Sequence, residues 1–235
     1  PGSYMKIFTV PFSLEEVTKN ITISQNPPSE ASKEEIINKA IKFHLDGKIQ
    51  EASKYYQYCI NQGFKNPTIF SNYGIILRSL GKVEEAEVLT RKAIEIDPNY
   101  TDAYLNLGNI LIDLEKLQEA ELSQRKVIEL NPTFAMGHNN LGNTLKDLGK
   151  LKEAELSQRK AIEFKPDFTQ AHYNLGNILN DLGQLKEAEL SYYNAIKIKP
   201  DFAEAHSNLG NILKDLGKPK DAELSYRKAI EANPI

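Results

Sequence analysis

The sequence predicts an all-α solenoid of antiparallel helix hairpins, because three features recur at one period. The tetrapeptide Asn-Leu-Gly-Asn occurs at 106–109, 140–143, 174–177 and 208–211, always 34 residues apart. Ala-Glu-Leu-Ser recurs with the same step at 120–123, 154–157, 188–191 and 222–225, and so does a proline from Pro98 to Pro234. A fixed period of this length is typical of repeat proteins, in which each unit packs only on its neighbours.

The period divides the chain into six units that follow an N-terminal extension and linker at residues 5–32. The units are residues 33–66, 67–100, 101–134, 135–168, 169–202 and 203–235. Residues 1–4, which precede Met5, are typical of a cloning scar. Ser32 and Glu35 have the spacing of a capping box, which predicts that the first helix begins at Ser32.

Each unit contains the signals of two helices, as the fourth unit shows. Leu141, Leu145 and Leu148 recur at helical spacing, and Gly149 then supplies a residue that tolerates the left-handed conformation. A second apolar run follows and ends before Pro166, because a proline disfavours helical conformation in the residue before it. In the third unit Glu115 holds the place of the turn glycine, and a left-handed turn there would cost about 1–2 kcal/mol.

The pattern resembles the tetratricopeptide repeat family over residues 33–235. The run Ala171-His-Tyr-Asn-Leu-Gly-Asn carries the family motif best, together with Gly183, Ala188, Ala195 and Pro200. The resemblance implies a right-handed superhelix whose first helices line a concave groove. One family position varies: an aromatic of the second helix is present as Tyr56, Tyr192 and Tyr226 and is replaced by Thr90, Gln124 and Gln158. Leu122 and Leu156 are expected to supply the missing packing.

Polar residues recur on the side of each first helix that lies opposite the apolar stripe. At 100° per residue, Asn140, Asn143 and Asp147 point away from Leu141 and Leu145. The equivalent residues form a first asparagine ladder (Asn72, Asn106, Asn140, Asn174 and Asn208), a second asparagine ladder (Asn109, Asn143, Asn177 and Asn211) and an aspartate ladder (Asp113, Asp147, Asp181 and Asp215). Asparagine is a below-average helix former, so its repeated use inside helices asks for a reason.

Two interpretations explain these ladders. A carboxamide offers two donors and an acceptor, which suits binding the backbone of an extended peptide without reading its side chains. Arrays similar to this one, including the substrate arm of O-GlcNAc transferase, line their groove with such a ladder. Alternatively, the asparagines hydrogen-bond one another or neighbouring turns and recur because the unit was duplicated. The three ladders are the candidate peptide-binding residues, and the sequence leaves both interpretations open.

The residues give little support to other kinds of site. His138, His172 and His206 occupy the same core-facing place in successive units, so they run parallel and do not converge on a metal. Cys59 stands where later units have alanine, which predicts a small buried residue. No phosphate loop, nucleophile elbow or paired-carboxylate motif is present. The sequence therefore predicts a protein that is not an enzyme, with no catalytic residue, cofactor or metal.

Composition and charge argue against nucleic acid and membranes as partners. The formal net charge is 29 − 32 = −3, and the Arg-Lys pairs at 91–92, 125–126, 159–160 and 227–228 lie among glutamates. A mixed-charge face of this kind does not predict nucleic-acid binding. No apolar run approaches the ~18–20 residues of a membrane span, and the start lacks the features of a signal peptide. With a single cysteine in the chain, these features predict a cytoplasmic protein without a membrane partner.

The two ends add hypotheses about self-association. An arm that carries Phe8, Phe12 and Leu14 is expected to cap the first hairpin or to lie in a groove, its own or a neighbour's. Leu224 and Ile230 should leave an apolar end face, which further repeats, a catalytic domain or another molecule would cover. The expected function is a protein-interaction scaffold that binds an extended peptide. The alternatives are a recognition or assembly arm of a larger transferase-type enzyme and a head-to-tail self-assembling solenoid.

Overall fold

The structure, a computed structural model, describes the backbone of residues 30–233 and the side chains from Ser32 onwards, and over this range it contains twelve α-helices and no strand. The helices are α1 (Glu30–Leu45), α2 (Ile49–Asn61), α3 (Pro67–Ser79), α4 (Val83–Ile96), α5 (Thr101–Asp113), α6 (Leu117–Leu130), α7 (Ala135–Asp147), α8 (Leu151–Phe164), α9 (Thr169–Asp181), α10 (Leu185–Ile198), α11 (Ala203–Asp215) and α12 (Pro219–Ala232). The scar, the apolar arm and the last two residues lie outside the described residues.

Odd-numbered helices are the first helices of the units and even-numbered helices are the second. Each pair forms a hairpin, and each second helix also packs on the first helix of the next unit. First helices of neighbouring units touch as well, α3 with α5 and α7 with α9. The prediction of an all-α solenoid of helical hairpins is therefore confirmed.

The first helix begins earlier than its capping box predicted. Glu30 is already helical, so Ser32 lies inside α1 and not at its N-cap. Glutamate and alanine at positions 30 and 31 are good helix formers, and they extend the helix beyond the capping signal. The helical structure therefore reaches into the segment that the sequence assigned to the linker.

The turns inside the hairpins share one left-handed residue. Gly81, Gly149, Gly183 and Gly217 have φ between 73° and 77°, and Glu115 adopts the same conformation with φ 58°. Around Glu115 the amide of the next residue donates to the Leu111 carbonyl at 2.8 Å, which is the bond that closes the other turns. The turn therefore keeps its shape without glycine, and the expected cost of about 1–2 kcal/mol applies to Glu115.

The core is a series of small clusters along the array, and close helix approach builds it. Ala86, Ala120, Ala154 and Ala188 are fully buried in successive second helices. On the facing first helices a glycine leaves room for the second-helix residue that is tyrosine in some units and glutamine or threonine in others. Gly142 lies against Gln158, and Gly176 lies against Tyr192. The expectation that Leu122 and Leu156 replace the missing aromatics is wrong, because their exposed fractions are 67% and 61%. They lie on the outer face of their helices, and the buried glutamines fill the space themselves.

Candidate functional site

The first asparagine ladder links the first helices of neighbouring units. Three of its members donate to a polar residue on the preceding first helix, 35 positions earlier. These bonds join Asn106 Nδ2 to Ser71 Oγ at 2.9 Å, Asn174 Nδ2 to Asn139 Oδ1 at 3.0 Å, and Asn208 Nδ2 to the Tyr173 hydroxyl at 3.2 Å. The ladder residues therefore lie on one face of the array, which we call the first-helix face.

Two members of the first ladder have other partners. Asn72 donates to the hydroxyl of Tyr56 at 3.1 Å, because the preceding unit has no polar residue at the matching place. Asn140 faces Leu105 in the same way, and its Oδ1 accepts from Asn139 at 3.3 Å.

The second asparagine ladder binds the second helix of its own unit. Its oxygens accept from the residue 15 positions later, which is a glutamine or a tyrosine: Gln158 to Asn143 at 2.9 Å, Tyr192 to Asn177 at 2.8 Å and Tyr226 to Asn211 at 2.8 Å. Burial raises the pKa of Tyr192, so its hydroxyl keeps the proton that it donates. Asn177 also accepts from Asn208 at 3.0 Å, which links the two ladders.

In most ladder carboxamides, only one of the two polar groups, the oxygen or the NH₂ group, takes part in these bonds. Among the described residues, the Oδ1 atoms of Asn72, Asn106 and Asn208 have no donor. The Nδ2 groups of Asn143, Asn177 and Asn211 have no acceptor in the same part of the chain. The first ladder therefore presents mainly carbonyl oxygens and the second ladder presents NH₂ groups, each held in orientation by its internal bond.

A polar pocket lies where the two ladders meet in the last two units, and Lys146 of the fourth unit also lines it. Its cavity of about 190 Å³ is lined by Lys146, Asn177, Asn180, Asp181, Tyr192, Asn208, Asn211 and Ile212. The sequence identified four of these residues as ladder members and did not identify the other four, Lys146, Asn180, Tyr192 and Ile212, as site residues. The signal for Tyr192 is its spacing of 15 positions from Asn177, which becomes meaningful only when the hairpin is closed.

The aspartate ladder is partly paired across unit boundaries. Arg78 donates to both oxygens of Asp113, with its Nε 2.5 Å from Oδ2 and its terminal nitrogen 3.0 Å from Oδ1. Lys146 lies 3.4 Å from Asp181. Ile112 and Asn180 hold the equivalent places before Asp147 and Asp215, so these two carboxylates have no ion partner among the described residues.

Two ladder residues differ from the rest. Asn174 is buried, and both ends of its carboxamide are occupied, since it accepts from Gln170 at 3.0 Å while donating to Asn139. Asn109 makes no side-chain hydrogen bond within residues 32–233, and the buried amide of Gln124 behind it also has none. Asn174 is thus the least available ladder member and Asn109 the most.

The histidines of the first helices hydrogen-bond to the loops between units. His138, His172 and His206 are buried, and each Nε2 donates to the carbonyl of the proline six positions earlier, at 2.8, 3.0 and 2.9 Å. The three bonds tie each first helix to the loop before it. No group of three metal-binding side chains occurs among the described residues.

The second helices carry a face of ion pairs. Arg91, Arg125 and Arg159 each contact two glutamates, one on their own helix and one on the second helix of the next unit. Arginines that are already paired are poorly placed to bind phosphates. In the described part of the chain, no helix combines the length and the apolar character that crossing a membrane requires.

Family models match most of this array. Those described as tetratricopeptide repeat match residues 101–134, 203–234, and 124–155 with 158–189. A further model, described as TPR repeat, matches residues 74–115 and 176–217. Together the matches span residues 74–155 and 158–234, more than half of the chain. The sequence has no match among curated proteins.

Solved structures share the fold. MamA is 26% identical over 68% of this chain and 93% of its own, with a TM-score of 0.64. YrrB, described as a TPR protein with an unusual peptide-binding site, is 24% identical over 78% of this chain and 94% of its own, and its TM-score is also 0.64. A thermophilic TPR protein of Thermus thermophilus, TTC0263, is 22% identical over 72% of this chain and 92% of its own, with a TM-score of 0.57.

Proposed function

This chain belongs to the tetratricopeptide-repeat family, and on that premise we propose that it is a protein-interaction scaffold whose first-helix face binds an extended segment of a partner. In this proposal, the two asparagine ladders bind the backbone of the segment, and the aspartate ladder borders it. The chain itself carries out no catalysis, and no cofactor takes part.

The observation that carries the proposal is the division of free groups between the two ladders. A peptide backbone offers one N–H donor and one C=O acceptor per residue. The free oxygen of Asn208 and the free NH₂ group of Asn177 complement these groups, and both line the polar pocket. Binding would satisfy the free half of each carboxamide without breaking the bond that orients the other half.

The spacing of the units also suits an extended chain. Packed helix axes lie about 8–10 Å apart, and an extended chain advances about 3.2–3.4 Å per residue. About three ligand residues therefore span one unit, so one peptide group can meet each pair of ladder asparagines. YrrB's printed description supports the idea that this fold can host a peptide.

The test removes the free donors and keeps the internal bonds. In Asn143→Asp with Asn177→Asp, the carboxylates can still accept from Gln158 and Tyr192, and they no longer offer an NH₂ group. The control, Asn99→Asp with Asn131→Asp, adds the same charge at two exposed turn residues. Peptides selected from a random library on the native array serve as probes, with fluorescence anisotropy as the assay.

Two lost hydrogen bonds at about 0.5–1.5 kcal/mol each should weaken binding by about five- to a hundredfold. The control should bind like the native protein, and both variants should keep the native circular dichroism and melting temperature. Equal affinity of the ladder variant and the control would refute backbone binding by the ladders. Alanine at Asn174 is unsuitable here, because it would leave a buried partner unpaired.

The remaining expectations of the sequence stay predictions. One is that the array is the recognition or assembly arm of a larger transferase-type enzyme. A second is head-to-tail self-association through the last unit or the N-terminal arm, and a third is a cytoplasmic location. Concentration-dependent mass in light scattering tests self-association.

A further inference from the structure

A second cavity lies on the other side of the array, between the second helices α8 and α10. Its volume is about 330 Å³, and α9 closes its floor. Apolar side chains line the floor and part of both walls: Leu175 on α9, Ile162 on α8 and Leu190 on α10. Leu190 has an exposed fraction of 61%, so part of this apolar surface faces solvent.

The charged rim of the cavity is unbalanced. Arg159 donates to Glu187 at 2.7 Å across the gap between the two helices. Glu163 also lines the cavity, and it pairs only loosely with Lys160 of the same helix, at 3.8 Å. The lining therefore holds one cation and two carboxylates.

The repeat provides an internal comparison that explains this imbalance. Asn194 lines the cavity at a place where four other units have a lysine: Lys92, Lys126, Lys160 and Lys228. In the equivalent gap between α6 and α8, the matching residues are Arg125, Glu129, Glu153 and Lys160, two cations against two carboxylates. A lysine stem covers apolar surface while its ammonium group stays in water. Asn194 is too short and carries no charge, so it provides neither function.

We propose that this cavity binds a lysine or arginine side chain of a partner protein. The alkyl stem would lie on Ile162 and Leu190, and the cation would approach Glu163. This site is separate from the first-helix face and does not depend on peptide binding there.

The charges around the cavity favour a basic occupant. The charged side chains that line the cavity are Arg159 and Glu163 on α8 and Glu187 on α10. Lys152 and Arg159 are paired with Glu155, and Arg159 is also paired with Glu187, so Glu163 keeps the most free charge. An acidic side chain would meet two carboxylates beside an apolar floor and would be repelled.

The experiment fills the cavity from within the chain. Asn194→Lys restores the residue type of four other units, so the variant is expected to fold, and its first-helix face is unchanged. A random peptide library is selected on the native protein and counter-selected on Asn194→Lys, which discards peptides that bind elsewhere. The control variant is Gln118→Lys, which adds the same charge on α6 at a place where Lys152, Lys186 and Lys220 stand in later units.

We expect the recovered peptides to be enriched in lysine and arginine. Replacing the basic residue of such a peptide by glutamine should weaken its binding at least about tenfold, from the lost ion pair and the partly buried stem. Asn194→Lys should weaken the native peptide by at least the same factor, and Gln118→Lys should leave it within about twofold. Recovery of acidic or uncharged peptides, equal binding by Asn194→Lys, or recovery of no peptide would each overturn the proposal.

Discussion

Glu115→Gly should stabilise the third unit, although it removes a side chain and adds glycine to a helical protein. Glu115 holds φ 58° in a turn that glycine forms in the five other units with φ 72–77°. A left-handed non-glycine residue costs about 1–2 kcal/mol. Glycine in turn loses about 0.4–1 kcal/mol more conformational entropy on folding. The difference predicts a stabilisation of about 0.5–1 kcal/mol.

The assay must resolve single units, because repeat arrays open locally as well as globally. Native-state hydrogen exchange should show slower exchange for the amides of α5 and α6 in the variant, with little change in α11 and α12. The melting temperature should rise by about 1–4 °C, from the scaling for chains of about 150–250 residues.

A mirror variant makes the reasoning refutable. Gly149→Glu introduces the same residue into the same turn of the fourth unit, where the added Cβ meets no atom within 4 Å. It should destabilise the fourth unit by about 0.5–1 kcal/mol through the backbone alone. If Glu115→Gly lowered stability, or if Gly149→Glu were neutral, the left-handed turn would not be the source of the strain.

Three further predictions concern the core and the ion pairs. Gly176→Ala places a methyl group 2.6 Å from the ring of Tyr192, which should lower the free energy of unfolding by about 1–3 kcal/mol in urea titrations; an unchanged midpoint would contradict this close packing. Cys59 is fully buried, and burial raises the pKa of its thiol to about 12, so Ellman's reagent at pH 8 should modify it only in denaturant. Burial opposes the ionisation of Glu121, but hydrogen bonds from Lys150 and an arginine outweigh it and lower the pKa of this carboxyl. Its stabilisation should be complete above the unfolded pKa of about 4.3 and be lost as the pH falls through the folded value, so thermal melts between pH 2 and 7 should show a weaker acid dependence in Glu121→Gln.

The helices and turns could be predicted because their signals are local and repeated. Gly149 and Pro166 mark a helix end and a loop within a few residues, and the period confirms each assignment several times over. The prediction failed where a signal occurs once: the capping box at Ser32 was overridden by favourable helix formers before it. Leu122 failed for another reason, since its helix could be located but the side that faces the core is decided by neighbouring helices.

The positions of the ladder residues could be predicted from the sequence, but their hydrogen-bond partners could not. The spacing placed Asn177 and Asn208 on one face, but it could not tell that the oxygen of Asn177 accepts from Tyr192, 15 positions later in the chain. Nor could it tell that Asn174 is buried and fully hydrogen-bonded while its counterpart Asn106 keeps a free oxygen. The difference between Asn174 and Asn106 depends on the residue four positions earlier, which is the donor Gln170 in one unit and Asp102 in the other.

The sequence by itself determined the solenoid of helix hairpins, its 34-residue period and the faces on which the polar ladders lie. These follow from backbone preferences within each unit and from a period that recurs along the chain. The tertiary structure alone decided which half of each carboxamide is free, which carboxylates are paired and where a cavity lies between α8 and α10. Such features arise between units, where side chains from distant positions share one space, and their hydrogen bonds and charges are settled only when neighbouring hairpins pack.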